Sequence, residues 1–220
     1  MSNNERIPRA KAEVIATGVM KWITDCCDKV EIAGSIRREK ETVGDIELVC
    51  QPHNPMALRV TLDTLVQEGT ITKALYRHVD RDKKETMRPR WGDKLKCFVL
   101  AGATVELSIT DEHGFGYIHW LKTGPSDGNT YIMTRMAQEK AAMRFDNGYG
   151  WLVEYSGNSP VYQHKLALSD EQTLFKCLGM GFIRPLWRGE AMYKAEWQGV
   201  LSKYQLDEFR VREPKQQKLF

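Results

Sequence analysis

The chain has 220 residues, of which 42% are hydrophobic and 28% charged, with a net charge of +3. That balance fits a globular chain with room for one substantial core or two small ones. No apolar run approaches the ~20 residues of a membrane span, and Met1 to Arg6 lacks the apolar core of a signal peptide. Five cysteines, odd in number and without C-x-x-C spacing, read as reduced packing thiols of a cytoplasmic protein rather than as zinc ligands or disulfides.

In chain order, Pro8 to Cys27 reads as an amphipathic helix, with proline near its start and Val14, Ile15, Val19, Met20 and Ile23 at helical spacing. Val30 to Ala33 is a short strand feeding a Gly34-Ser35 turn, and a helical turn follows. Asp45 to Gln51 is a strand. Pro55 to Glu68 is a helix closed by Gly69. Ile71 to Tyr76 and Leu95 to Leu100 are strands on either side of a basic loop. Residues 71–100 hold nine Lys/Arg against four acids, a patch suited to a polyanion. Thr104 to Ile109 alternates, with Val105, Leu107 and Ile109 toward a core and Glu106 outward.

From about residue 111 the texture turns glycine-rich, aromatic and helical. A helix is predicted around Phe115 to Leu121, a turn at Thr123 to Gly128, and a longer helix from Asn129 to about Met143. Strands follow around Trp151 to Tyr155 and Val161 to Leu168. Ser169-Asp170-Glu171-Gln172 reads as a capping box opening a helix through Leu178. Ala191 to Tyr204 is partly helical, and a loose polar tail ends the chain.

The chemistry concentrates at Gly34-Ser35-Ile36-Arg37-Arg38 and Val43-Gly44-Asp45-Ile46-Glu47. In a strand, residues i and i+2 share a face roughly 6.6 Å apart, so Asp45 and Glu47 form one acidic edge while Ile46 and Leu48 pack behind it. Gly34 and Ser35 offer backbone N–H groups and a hydroxyl to an anion, and Arg38 can neutralise it. Carboxylates beside a phosphate cradle are what metal-assisted phosphoryl transfer requires. Glu106 is the third carboxylate available to such a site.

These pieces, in this order, resemble the DNA polymerase X family, whose best-known member is DNA polymerase β. Gly34 to Glu47 is similar to its Gly-Ser, Arg-Arg and Gly-Asp-x-Asp pattern. Arg6-Ile7-Pro8-Arg9 looks like its segment leading into the palm, Thr123-Gly124 and Asn129 like its thumb turn, and Phe182 to Arg188 like its closing segment. The resemblance covers about residues 6–188. It implies an α+β fold, with a nucleotidyltransferase-type palm of mixed sheet and flanking helices over 1–110. A small α+β thumb would occupy 111–188, and 189–220 would be a C-terminal extension. The family's lyase and fingers domains have no counterpart before Arg6, which implies a minimal form without lyase activity.

By that likeness Asp45, Glu47 and Glu106 would be catalytic and would hold two Mg²⁺, with Mn²⁺ as the alternative ion. Arg6, Gly34, Ser35, Arg38 and Gly44 would bind the triphosphate. Leu121, Thr123, Gly124 and Asn129 would line the sugar and base, and Lys94 and Lys96 would touch the DNA backbone. Two glutamates stand where the family uses aspartate, which changes ligand reach. Leu121-Lys122, with Trp120 before it, replaces the aromatic pair at the sugar, and weaker exclusion of ribonucleotides is expected. The implied activity is template-directed addition of dNTPs to primer–template or gapped DNA by a monomer engaged in repair. The alternatives are a template-independent nucleotidyltransferase acting on RNA, protein or a small molecule, and a catalytically weak DNA-binding clamp adaptor. The final Gln216-Gln217-Lys218-Leu219-Phe220 resembles peptides that dock on bacterial and phage sliding clamps. Gln216, Leu219 and Phe220 are its anchors, and the setting implied is the nucleoid of a bacterial or phage-infected cell.

Overall fold

The computed structural model describes residues 6–80 and 83–212. The first half runs β1 (Ile7–Pro8), α1 (Arg9–Ile23), β2 (Cys27–Ile32), α2 (Gly34–Arg37), β3 (Thr42–Val43), β4 (Ile46–Pro52) and α3 (Pro55–Gln67). It continues through β5 (Thr72–Lys73), β6 (Leu75–Val79), β7 (Glu85–Pro89), β8 (Leu95–Leu100) and β9 (Ala103–Ile109). In α1, Pro8 precedes the first turn, and Ala12, Ile15, Ala16, Val19 and Ile23 are buried at helical spacing. The helix stops four residues before Cys27. A single 3₁₀ turn intervenes, and Cys27 opens β2. The Asn54 side chain accepts the Ala57 N–H at 3.0 Å and caps α3.

Five strands form a sheet in the order β2-β4-β9-β8-β5, with β4 and β9 parallel and the other neighbours antiparallel. Because strand side chains alternate, Ile46, Leu48 and Cys50 join Val105 and Leu107 in a core with Ala12, Val19 and Leu62 from α1 and α3. Asp45, Glu47 and Glu106 are left on the opposite face. The expected strand over 71–76 divides at Ala74: β5 stays on β8, while β6 pairs with β7 as a separate hairpin. Leu75, Val79 and Met87 on that hairpin are exposed.

The second half runs α4 (Phe115–Thr123), α5 (Ser126–Gln138), β10 (Met143–Asp146), β11 (Tyr149–Ser156), β12 (Ser159–Lys165), α6 (Glu171–Cys177), α7 (Glu190–Glu196) and α8 (Lys203–Leu206). Strands β10, β11 and β12 form an antiparallel sheet. Trp120, Ile132, Phe175, Leu166 and Tyr193 lie in its core, where the buried Trp120 indole N–H donates to the Tyr193 hydroxyl at 2.9 Å. Two expectations are corrected here, and the partly helical stretch over 191–204 is resolved into its pieces. α5 starts at Ser126, directly after Pro125, and ends at Gln138, leaving Met143 to β10. Asp170, not Ser169, caps α6, its carboxylate accepting the Thr173 N–H at 2.7 Å. The last helical stretch breaks into α7 and α8 around Gly199, whose φ of 94° a helix cannot hold.

The two halves are joined by a buried ionic hub. Glu171 receives bidentate bonds from Arg37 at 2.7 Å and 2.7 Å, and from Arg188 at 2.8 Å and 2.8 Å. Burial works against the charge on Glu171, but the two guanidinium groups outweigh it and hold the carboxyl down at about 2. No helix among the described residues is long and apolar enough to cross a membrane. The five cysteines are free and buried.

Candidate active site

The acidic edge comes from strand register. Glu47 on β4 sits directly beside Glu106 on β9, and Asp45 precedes Glu47 by two residues on the same face. Burial raises the Asp45 pKa, and Glu106 adds to the effect. Burial also pushes Glu47 up to about 7 despite the opposing pull of Lys122, with Asp45 and Glu106 reinforcing it. The Lys122 ammonium lies 2.9 Å from Glu106 Oε2 and 3.9 Å from Glu47 Oε1. Burial lowers its pKa, but Glu106 and Glu47 outweigh burial and hold it above the ordinary lysine value. From the other side the Tyr76 hydroxyl donates to Glu106 Oε1 at 3.4 Å, and the Arg90 guanidinium stacks 4.1 Å from the Tyr76 ring.

The turn beside this edge is fixed by a close approach. Gly34 has φ of +64°, and a Cβ there would lie 2.2 Å from Glu47 Oε2, so any side chain at this position strains the backbone and displaces the Glu47 carboxylate. Ser35 lies in α2 and Arg38 directly after its last residue, and Arg38 Nη2 donates to Ser35 Oγ at 3.4 Å. Arg38 also donates to the Thr123 carbonyl, spanning the two halves. The β1–β3 pair brings Arg6 to Thr42, with Nε donating to Oγ1 at 2.9 Å. A side chain at Gly44 would meet Arg6 Nη1 at 3.8 Å.

A cavity of about 480 Å³ joins these groups. Ser35, Arg38, Asp45 and Glu47 line it from the first half, and Leu121, Lys122, Gly124 and Asn129 from the second. Asn129 Nδ2 donates to the Leu121 carbonyl at 2.9 Å. Its Oδ1 and the Arg38 Nε are buried with no protein partner. Buried polar atoms are nearly always paired, so these two point to a ligand that completes them.

Several expected site residues stand elsewhere. Arg6, Gly34, Gly44 and Glu106 border the cavity rather than line it, tied in through Thr42, Glu47 and Lys122. Thr123 is fully buried, and its hydroxyl accepts from Arg37 at 2.8 Å. Trp120 belongs to the second core. Lys94 is exposed, its ammonium donating to the Asn147 carbonyl at 2.9 Å. Lys96 departs from the expectation: it is 5% exposed, bonded to the Gly92 carbonyl at 3.2 Å and stacked on Trp91, so its charge is spent inside the fold. Gln216, Leu219 and Phe220 lie outside the described residues. Lys122, Tyr76 and the Arg37–Glu171–Arg188 hub were not expected. The adjacent arginines 37 and 38 were the available signal for the hub.

Among the described residues no three carboxylate, imidazole or thiol groups are gathered as a ready metal cage. The donor chemistry fits a hard divalent cation nonetheless. The groups are all carboxylate oxygens, Glu106 raises the proton affinity of both Asp45 and Glu47, and an ammonium already occupies the place between Glu47 and Glu106 as a stand-in cation.

The description "DNA polymerase beta palm" matches residues 6–88. No curated protein matches the chain. Among solved structures it is similar to a Leishmania infantum polymerase beta in a ternary P/T complex. The TM-score is 0.62 and the identity 14%, over 84% of this chain and 77% of that one. The five-stranded mixed sheet thus has a fold similar to that of this polymerase beta, and the Gly34 turn, Asp45 and Glu47 lie in the stretch that matches the palm description.

Proposed function

We propose that this protein is a template-directed DNA polymerase that adds dNTPs to a primer 3′-hydroxyl, with short-gap filling in DNA repair as its role. The observation that carries this reading is the 480 Å³ cavity, where phosphate-binding and acidic groups of one half face Leu121, Gly124 and Asn129 of the other. The palm match and the likeness to a polymerase beta crystallised as a ternary P/T complex support it. In this reading residues 1–110 are the palm and 111–188 the thumb.

Asp45, Glu47 and Glu106 would hold two Mg²⁺ or Mn²⁺, which when bound supply the positive charge that acidifies the primer hydroxyl and steadies the triphosphate. Ser35 Oγ and the Arg38 guanidinium face the β- and γ-phosphates, with Arg6 behind them through Gly44, and neutralise charge as pyrophosphate leaves. Asn129 Oδ1 accepts from the nucleotide, and Leu121 packs against its sugar. Lys122 releases Glu106 so that the carboxylate can turn to its catalytic task. Lys94 meets a backbone phosphate and adds salt-dependent affinity. Extension of a primer on gapped DNA, compared with unprimed DNA and RNA acceptors, tests the reading. Equal use of acceptors without a template would replace it with a template-independent nucleotidyltransferase.

A second reading, a catalytically weak DNA-binding protein, is favoured by the Lys122 ammonium lodged among the carboxylates. Incorporation that requires a divalent ion and Asp45 would dispose of it.

A further inference from the structure

A cavity of about 740 Å³ lies away from the acidic edge. It is set between the β10–β12 sheet and the segment that follows α8. That segment runs beside β12, with the Val211 N–H donating to the Lys165 carbonyl at 2.9 Å and the Ala167 N–H to the Phe209 carbonyl at 2.7 Å. None of the residues assigned above to nucleotide or metal lines the cavity.

Its lining sets one large aromatic ring, Trp151, among three cations, Lys165, Arg210 and Arg212, and two tyrosines stand beside that ring outside the cavity. Trp151 on β11 pairs with Lys165 on β12, so both project from one face of the sheet. Tyr149, two residues before Trp151, shares that face, and the Lys165 ammonium sits 3.7 Å from the Tyr149 ring. The Trp151 ring meets Tyr162 edge-on at 6.1 Å, and Tyr162 is 43% exposed. Arg210 and Arg212 are exposed on the facing segment. Asp207 is the one acid lining the cavity, 4.0 Å from Arg210. At its other end the stripe reaches the palm, where the Lys94 ammonium lies 5.9 Å from the Tyr149 ring.

We infer that this groove binds single-stranded polynucleotide, with an unpaired base stacked on Trp151 and its flanking phosphates on Lys165, Arg210 and Arg212. A half-exposed indole set among cations is a stacking platform with an electrostatic lining, which takes any base because every base has a π face. A duplex does not suit the groove, because its base faces are already covered by their neighbours. An acidic peptide would use the cations and leave the rings idle. The strand that meets these terms beside a polymerase site is the unpaired template. The inference thus rests on the proposed function for its biological setting, but not for its measurement.

The test is fluorescence anisotropy with fluorescein-labelled oligothymidylate, a blunt duplex of matched charge and polyglutamate as probes. The expected result is preference for the oligothymidylate, with Trp151→Ala weakening it by about 5- to 100-fold and Trp151→Phe by no more than about threefold. Arg210→Gln with Arg212→Gln should reduce the slope of log affinity against log salt by about 1.4. Should the Trp151→Ala protein fail to fold, the arginine pair, on an exposed segment, decides the matter. Unchanged oligothymidylate affinity in these variants, or equal binding of polyglutamate, would overturn the inference. Primer extension separates it from the proposed function. A chain that extends primers yet ignores oligothymidylate loses only the groove. A chain whose oligothymidylate binding follows Trp151 yet extends nothing loses only the polymerase reading.

Discussion

The Lys122 ammonium lies 2.9 Å from Glu106 Oε2, so a carboxylate expected to serve a divalent ion already carries a cation of the protein's own. A divalent ion at this edge must displace Lys122 or share Glu106 with it. Lys122→Met should therefore behave in opposite ways with and without metal. In EDTA the variant loses the partner of a half-buried carboxylate cluster and should be less stable by about 1–3 kcal/mol. With Mn²⁺ the same cluster, freed of its competitor, should bind the ion more tightly than the wild type does. Melting temperatures in EDTA and in Mn²⁺, with the affinity read by titration calorimetry, check both halves.

Glu47 ties stability to pH. Its folded pKa, pushed to about 7 by burial and the neighbouring acids, lies above the ordinary carboxylate value near 4.3. The folded state therefore holds a proton that the unfolded chain releases. Its contribution is complete below the unfolded pKa and is lost as pH rises toward 7. His119 runs the other way in the same window. Burial holds it down to about 4, with Arg37 adding to the effect, so its contribution falls as pH drops from 6.5. The isolating measurement is the difference between wild type and Glu47→Gln in urea denaturation from pH 5 to 8 in EDTA. The wild type should lose stability relative to the variant as pH rises, on the order of 2 kcal/mol.

Gly34→Ala places a methyl group where Glu47 Oε2 now lies, on a backbone at φ +64°. The strained conformation alone costs about 1 kcal/mol, and Glu47 must also turn away. The variant should remain folded, with a lower melting temperature and activity reduced far more than its DNA affinity. Incorporation rates set beside anisotropy titrations would reveal the split.

Glu171→Gln leaves Arg37 and Arg188 facing a neutral amide in a buried hub. A loss of about 3–5 kcal/mol is expected, because two guanidinium groups lose their common carboxylate. Adding Arg188→Met should restore part of the loss by removing one orphaned charge. Urea midpoints of the single and double variants report the coupling.

Legibility followed the range of the physics involved. The acidic edge was readable because strand alternation is local: Asp45 and Glu47 needed only a period of two. The same holds for α3, whose Pro55 start and Gly69 stop are signals within one segment. Ala74, where the chain leaves the sheet for a hairpin, gives no such signal, since β5 and β6 are chosen by partners elsewhere. Lys96 was expected beside Lys94, but Trp91 folds back to bridge it and draws its ammonium inward. Lys122 and Glu171 were invisible for a related reason. Their partners lie 16 residues away on β9 in one case, and 134 and 17 residues away in the other. Packing of the second half on the first brings Lys122 to Glu106 and Glu171 to Arg37, and the fold of the second half brings Arg188 to Glu171.

The most direct test of the polymerase reading is single-nucleotide addition on DNA with a one-nucleotide gap, in Mg²⁺ and in Mn²⁺, with wild type and Asp45→Asn side by side. Wild type should add the complementary dNTP, and Asp45→Asn should be slower by about 10²–10³-fold while still binding the DNA. Failure of the wild type with either ion, or an Asp45→Asn protein as fast as wild type, would contradict the assignment of this acidic edge to nucleotidyl transfer.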